Sequence, residues 1–269
     1  MPYRAYSPGS VTLFFQVVDS KIPHLRGSMG VGVCISPGAL TELEDGKDAV
    51  LLNGREIDGN IQRYIAERYG YHGTVKTTVS LPISQGFGMS GAIALSTSLA
   101  MATKYKKTYY HAVKIAHEAE LFAGSGLGDV ASEYEGGFTF RRKEGVQPYG
   151  HVDRLHYRGK IKVAVFGDKI ETKSVLENKM LRMKIEEAGA WALEKFKDEP
   201  TFNNALKLAR EFSFSLGLMS AELEKFLRSC PNATMAMLGN SAIIFGDCKV
   251  PDTAKVYEVT LGERATVLA

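Results

Sequence analysis

The sequence has little cysteine, little net charge and no long apolar run. Its three cysteines, Cys34, Cys230 and Cys248, lie far apart, are odd in number and form no CxxC pair. That argues against a disulfide framework or a cysteine-based zinc site. It reads instead as free thiols serving as small core residues in a reducing compartment. No segment approaches the roughly 18 consecutive apolar residues of a membrane span. Met1 to Ser10 lacks a charged start followed by an apolar stretch, so no secretory signal is expected. The formal net charge of +3 is too weak to argue for a nucleic-acid partner, which calls for a concentrated basic face. Repeats and low-complexity segments are absent. The expectation is a soluble cytoplasmic protein with no nucleic-acid or membrane partner.

What remains is an ordinary globular composition, 45% apolar and 23% charged, over 269 residues. That length suits one large domain or two intimate ones. Ser7-Pro8-Gly9-Ser10 is turn chemistry, and Val11 to Val18 is a β-rich run behind it. Gly27 to Ile35 is a second strand. Thr74 to Leu81 alternates apolar and polar like a half-buried strand. Ser90 to Thr103 predicts a buried helix, Tyr109 to Phe122 another, and Gly137 to Arg142 a strand. Composition turns polar near Gly150 to Arg158, a candidate domain boundary. Beyond it, Ile161 to Phe166 reads as a strand, followed by helices over 175–195, 202–215 and 220–229. Strands return over 234–245 and 255–260, an order that suggests a smaller α+β domain.

The most informative segment is Leu81 to Ala92, LPISQGFGMSGA. A strand ends, Pro82 stops the ladder, and Gly86, Phe87, Gly88, Met89, Ser90 and Gly91 lead into a helix. Glycines let backbone N–H groups turn inward around an anion, and the helix N-terminus adds free donors. Ser90 stands where it can cap the helix or meet a phosphate-bound Mg²⁺. The segment also spells GxGxxG, but the strand before it is amphipathic and no acidic residue occurs between Met89 and His117, against a dinucleotide site. A Walker A motif fails for want of the lysine. A ligand-free glycine turn stays open.

A second glycine loop, Gly124 to Gly128, ends at Asp129. Asp129 is either the N-cap of a short helix or a carboxylate placed for phosphoryl transfer. Upstream, His117 and Glu120 share a helix face, while Glu118 points to the solvent side and can pair with Lys114. Arg141 follows the next strand and suits a carboxylate ligand, with Ser28 and His117 as polar partners. A surface arginine, a turn serine and a satisfied core histidine are the competing readings.

Together these blocks resemble the GHMP kinase superfamily, whose phosphate loop has the form P-x-x-x-G-L-G-S-S-A. Ser7-Pro8-Gly9-Ser10 resembles its N-terminal Pro-Gly motif, and Ser125 to Gly137 its S-G-x-x-D segment ending in paired glycines. The chain departs at Ser10, where many members carry lysine. It departs again at Phe87 and Met89, and in a C-terminal motif, Met237 to Ser241, with a single glycine. These departures, with Arg26-Gly27-Ser28 and His117-Glu118-Ala119-Glu120, resemble the archaeal pantoate kinase branch. The resemblance implies an α+β, two-domain fold: an α/β ATP-binding domain over 1–156 and a ferredoxin-like α+β domain over 157–269. It also implies a homodimer that phosphorylates pantoate with ATP and Mg²⁺. Pro82 and Gly86, Phe87, Gly88, Met89, Ser90 and Gly91 would hold ATP, Ser90 and Glu120 the metal, and Asp129, Arg141 and His117 would be catalytic, with Ser28, His117 and Arg141 at the acid. Shikimate, homoserine or mevalonate are alternative acceptors, and a non-catalytic nucleotide-binding module is the alternative of a different class.

Overall fold

In the computed structural model, which describes residues 3–168 and 172–268, two long antiparallel strands come first: β1 (Tyr3–Val18) and β2 (Gly27–Glu44). Then follow β3 (Ala49–Leu52), β4 (Arg55–Glu56), α1 (Asn60–Tyr69), β5 (Thr74–Val79), α2 (Met89–Lys104), α3 (Tyr109–Ala123) and α4 (Asp129–Glu135). The strands β6 (Phe138–Lys143) and β7 (His151–Leu155) close the first half. The second half holds β8 (Ile161–Val165), α5 (Thr172–Glu177), α6 (Lys179–Asp198), α7 (Phe202–Leu216) and α8 (Ala221–Ser229). It ends with β9 (Ala233–Met235), β10 (Ser241–Phe245), β11 (Lys255–Leu261) and β12 (Thr266–Leu268).

The mixed α+β architecture expected from the sequence is present. All strands join one 12-stranded sheet, ordered β4-β3-β5-β2-β11-β8-β10-β9 along its main path. Among the described pairings only β3 with β5 is parallel. The two halves share this sheet. β11 pairs with β2 at Thr260 and Ser36, and β12 returns to β1, with Arg4 opposite Leu268.

The helix α2 is the spine of the first half. It is Ala-, Ser- and Leu-rich, buried from Met89 to Ala102 except at Ser90, and lies against β1, β2, α1 and α3. Small side chains on every face let a helix sit in the middle of a domain. On the other side of β1, α6 and α7 pack through aromatic edges: Phe14 meets Phe196 at 5.8 Å between ring centres, and Phe15 meets Phe212 at 5.9 Å.

Four expectations need correction. Residues 7–10 do not turn. They run inside β1, with an irregularity between Ser7 and Gly9 that absorbs the proline. The helix expected over 175–195 is two, because the Asn178 side chain accepts from the amides of Met180 and Leu181 and starts α6 afresh. The strand expected over 234–245 is the antiparallel pair β9 and β10, joined by a tight turn. Finally, Cys230 and Cys248 form a disulfide, and only Cys34 is a free, buried thiol. The β9–β10 pair between them brings the two cysteines together, since Asn232 and Phe245 already face each other across a backbone hydrogen bond of 2.9 Å. Counting cysteines and spacings does not see such a pairing.

Gly189 lets α6 approach β1 closely, because a Cβ there would overlap the carbonyl of Phe15. Gly189→Ala is therefore expected to cost about 1–3 kcal/mol of stability through forced separation of the two elements. Urea unfolding of the two proteins measures it, and an unchanged midpoint would mean the approach is not constrained.

Candidate active site

The glycine loop behaves as its chemistry requires. Gly86 and Gly88 adopt left-handed backbone angles, φ +74° and +65°. Gly88 is the N-cap of α2, and no side chain caps the helix. Ser90 therefore does not cap, and the first amides of α2 stay free for an anion. The loop is pinned from both halves of the chain. The amide of Ser10 donates to the carbonyl of Phe87 at 3.0 Å, and Ser241 Oγ donates to the carbonyl of Gln85. A Cβ at Gly86 would lie 2.5 Å from the carbonyl oxygen of Ala236, and Gly239 presses equally closely on Gln85. The reduced C-terminal motif thus keeps its one glycine where backbone meets backbone. Phe87 and Met89 are buried in the core and hold the loop by packing. Pro82 is half-buried and precedes the loop without lining the cavity.

Between this loop and Gly124–Asp129 lies a cavity of about 440 Å³. Ser90 and Asp129 line it from opposite elements, joined by Thr12, Ser28, Met237 and Leu238. Asp129 is the first residue of α4, with Gly128 as the N-cap, so it does not stand at the N-cap position itself. Burial raises its pKa. The Arg141 guanidinium and the hydroxyls of Ser10 and Thr12 oppose that rise, although Ser10 Oγ closes no hydrogen bond of good geometry.

Glu120 reaches the same corner from α3. Its Oε1 accepts from Ser125 Oγ at 2.7 Å, while Oε2 is buried without a partner. Burial first, then the charge of Asp129, push its pKa up to about 7, with the Ser125 and Ser90 hydroxyls pulling the other way. A buried carboxylate oxygen with no partner, next to the Ser90 hydroxyl, fits a hard divalent cation. Magnesium takes few protein oxygens and keeps several waters. Among the described residues no group of three or more His, Cys, Asp or Glu has the geometry of a dedicated metal cage.

The remaining expected residues stand one layer behind. Arg141 is 1% exposed and does not line the cavity. Its Nη1 donates to Ser132 Oγ at 2.8 Å and its Nε to the carbonyl of Ser28 at 3.3 Å. It lies directly under Gly128, where a Cβ would be 2.6 Å from Nε. His117 is buried, and its Nε2 donates to the carbonyl of Arg26 at 2.7 Å, which ties α3 to the start of β2. Burial lowers its pKa, so it is neutral near pH 7. Ser28 is the member of this group that reaches the cavity. Glu118 pairs with Arg68 at 3.2 Å rather than with Lys114.

Sequence reasoning missed Thr12 and Glu133. Thr12 sits on β1 beside Asp129 and lines the cavity. Glu133, fully buried, lies one helical turn after Asp129, a spacing that places both on one face of α4. In the polar string Ser-Glu-Tyr-Glu it passes for a surface residue.

A buried helix without a side-chain cap is thus opened by a doubly anchored glycine loop and faces carboxylates across a small cleft. Residues 58–137 match the family described as the GHMP kinases N terminal domain. The chain is 31% identical over 252 residues to a pantoate kinase of Methanocaldococcus jannaschii, with 88% of this chain and 90% of that one covered. It is 32% identical over 259 residues to a pantoate kinase of Thermococcus kodakarensis, with coverage of 89% and 86%. A solved structure described as a phosphotransferase related to the CoA biosynthesis pathway is similar at a TM-score of 0.86 and 28% identity, covering 99% and 98% of the two chains. The chain belongs to the pantoate kinase family of GHMP kinases, and it is a small-molecule kinase.

The Glu120 pKa has a consequence for stability. Between its ordinary value of 4.5 and about 7, the folded protein holds a proton that the unfolded chain releases. The contribution of Glu120 is therefore greatest at low pH and declines as pH rises through about 7. In metal-free urea unfolding between about pH 5 and about pH 8, wild type should lose stability relative to Glu120→Gln. Parallel profiles would remove the basis for a protonated Glu120.

Proposed function

We propose that the chain transfers the γ-phosphoryl group of ATP to the primary hydroxyl of pantoate, giving 4-phosphopantoate, a step towards coenzyme A. The observation that carries this reading is the cavity in which the free amides of α2 and the Asp129 carboxylate face each other. The choice of acceptor rests on the pantoate kinases to which nearly the whole chain is similar. The loop from Gly86 to Gly91 cradles the phosphates through backbone N–H groups. Mg²⁺ held by Ser90 and Glu120 would neutralise phosphate charge as it builds up. Asp129 orients the acceptor hydroxyl and accepts its proton, while Thr12 holds the carboxylate in place.

Pantoate is a small monoanion, so its site needs positive charge. Arg141 supplies it from beneath Gly128 and fixes Ser28, which meets the acid at the cavity wall. His117 acts at one remove, by holding the Arg26 segment that leads into Ser28. The reading includes a cytoplasmic homodimer. Met180, Met183 and Trp191 support it as exposed apolar residues on one face of α6, and light scattering of the purified protein checks it. No helix among the described residues is long and apolar enough to cross a membrane.

The deciding assay couples ADP release to Mg-ATP turnover with pantoate, pantothenate, shikimate, homoserine and mevalonate. Turnover with pantoate alone is expected, and preferred turnover of another acceptor would reject the pantoate pocket. In the same assay Asp129→Asn should lower kcat by about 10²–10⁴-fold. Its affinity for ATP should stay within a few-fold, and a parallel loss of ATP binding would move Asp129 from the acceptor to the nucleotide. Arg141→Ala should raise the KM for pantoate and lower kcat, because both Ser28 and Asp129 lose their support. An unchanged KM would leave the acid to other residues.

A further inference from the structure

Glu133 is the least explained group in the molecule. Its side chain is fully buried, and neither carboxyl oxygen has a hydrogen-bond partner. Burying a carboxyl group without partners is costly even when it is neutral, and far more so when it is ionised. Burial, then the charges of Asp129 and Glu120, hold its pKa well above the ordinary carboxylate value. A group retained at such a cost invites a reason beyond packing.

The geometry supplies one. Oε1 lies 2.8 Å from where a Cβ would stand on Gly88, and Oε2 lies 2.8 Å from the corresponding point on Gly91. The carboxyl group fills the niche left by both glycines at the turn where the phosphate loop enters α2. Gly88 has a left-handed backbone that favours glycine in any case, but Gly91 does not. At Gly91 glycine is demanded by space: a methyl group would press on Glu133 and on the Cβ of Asp129, 2.9 Å away. The similar family loop carries alanine at this place. Glu133 and Asp129 share one face of the short helix α4, so whatever spaces the loop from Glu133 also spaces it from Asp129.

We propose that Glu133 is a positioning residue for the phosphate loop. Its carboxyl group wedges between Gly88 and Gly91 and sets the height of Ser90 and the first amides of α2 above Asp129. The inference rests on the reading of this loop as the ATP site. It assigns Glu133 a contact with the loop, not with substrate or metal, and the shape of the group is what acts. An isosteric amide therefore serves in its place, and a truncated side chain does not.

The test measures Kd for ATP by calorimetry without any acceptor, then KM for ATP and for pantoate, for wild type, Glu133→Gln and Glu133→Ala. Glu133→Gln should stay within about twofold of wild type. Glu133→Ala should raise Kd and KM for ATP roughly tenfold to a hundredfold, the scale of a loop displaced by a fraction of an ångström to one ångström. KM for pantoate should hardly move. Should Glu133→Ala fail to fold, Gly91→Ala, which crowds the carboxyl group instead of removing it, should weaken ATP binding, and Glu133→Asp should partly restore it in the double variant. An unchanged Kd in Glu133→Ala with only a lowered Tm overturns the proposal, as does a Glu133→Gln as poor as Glu133→Ala or an unrelieved double variant. Wild type that binds no ATP would instead sink the kinase reading itself, so the two failures are distinguishable.

Discussion

Two buried carboxyl groups, those of Glu120 and Glu133, stand close to the half-buried Asp129, and the one guanidinium acting on this cluster, that of Arg141, acts on Asp129. Such a cluster cannot be fully ionised in a low-dielectric interior. Protons or cations must make up the balance. The rest of the site follows from this constraint. The Arg141 charge opposes the rise that burial causes at Asp129, Glu120 titrates at about 7, and burial with the neighbouring carboxylates pushes Glu133 well above the usual carboxylate range. A site of this kind is short of positive charge, and Glu120 Oε2 is a carboxylate oxygen without a partner that would suit a metal brought in with phosphates. The basicity of the whole chain, a net charge of +3, says nothing of this local deficit.

The second constraint is steric. The phosphate loop lies between two pieces of backbone distant in sequence, residues 8–10 on one side and residues 236–241 on the other. Each contact is closed by a glycine that lacks a Cβ where one would collide. The C-terminal half thus contributes to the candidate site through the backbone at Ala236 and Gly239, and through Met237 and Leu238 in the cavity wall. The continuous sheet, with β11 against β2 and β12 against β1, keeps these pieces in register.

Much of this was legible in the sequence because local rules produce it. The buried helix over 90–103, the glycine entrance to it, the carboxylates Glu120 and Asp129 and the mixed α+β order all follow from period, composition and glycine placement. What was not legible depends on tertiary contacts. Residues 7–10 carry turn chemistry, but β2 pairs along them and turns them into strand. Arg141 reads as a substrate ligand, but it is buried under Gly128, bonded to the Ser28 carbonyl and the Ser132 hydroxyl, and does not line the cavity. Glu133 looks like a solvated glutamate in a polar string, and its burial against Gly88 and Gly91 is visible only in the folded chain. Cys230 and Cys248 are brought together by a strand pair that spacing alone does not reveal.

The charge balance of the carboxylate cluster can be measured directly. Calorimetric titration of the protein with preformed magnesium–ATP near pH 7, in two buffers of different ionisation enthalpy, counts the protons exchanged on binding. With Glu120 titrating at about 7 in the empty site, the account predicts release of a fraction of a proton, on the order of one half, and its disappearance in Glu120→Gln. Binding of the nucleotide with no proton release in wild type, or with the same release in the variant, would show that the cluster is not balanced by a proton on Glu120.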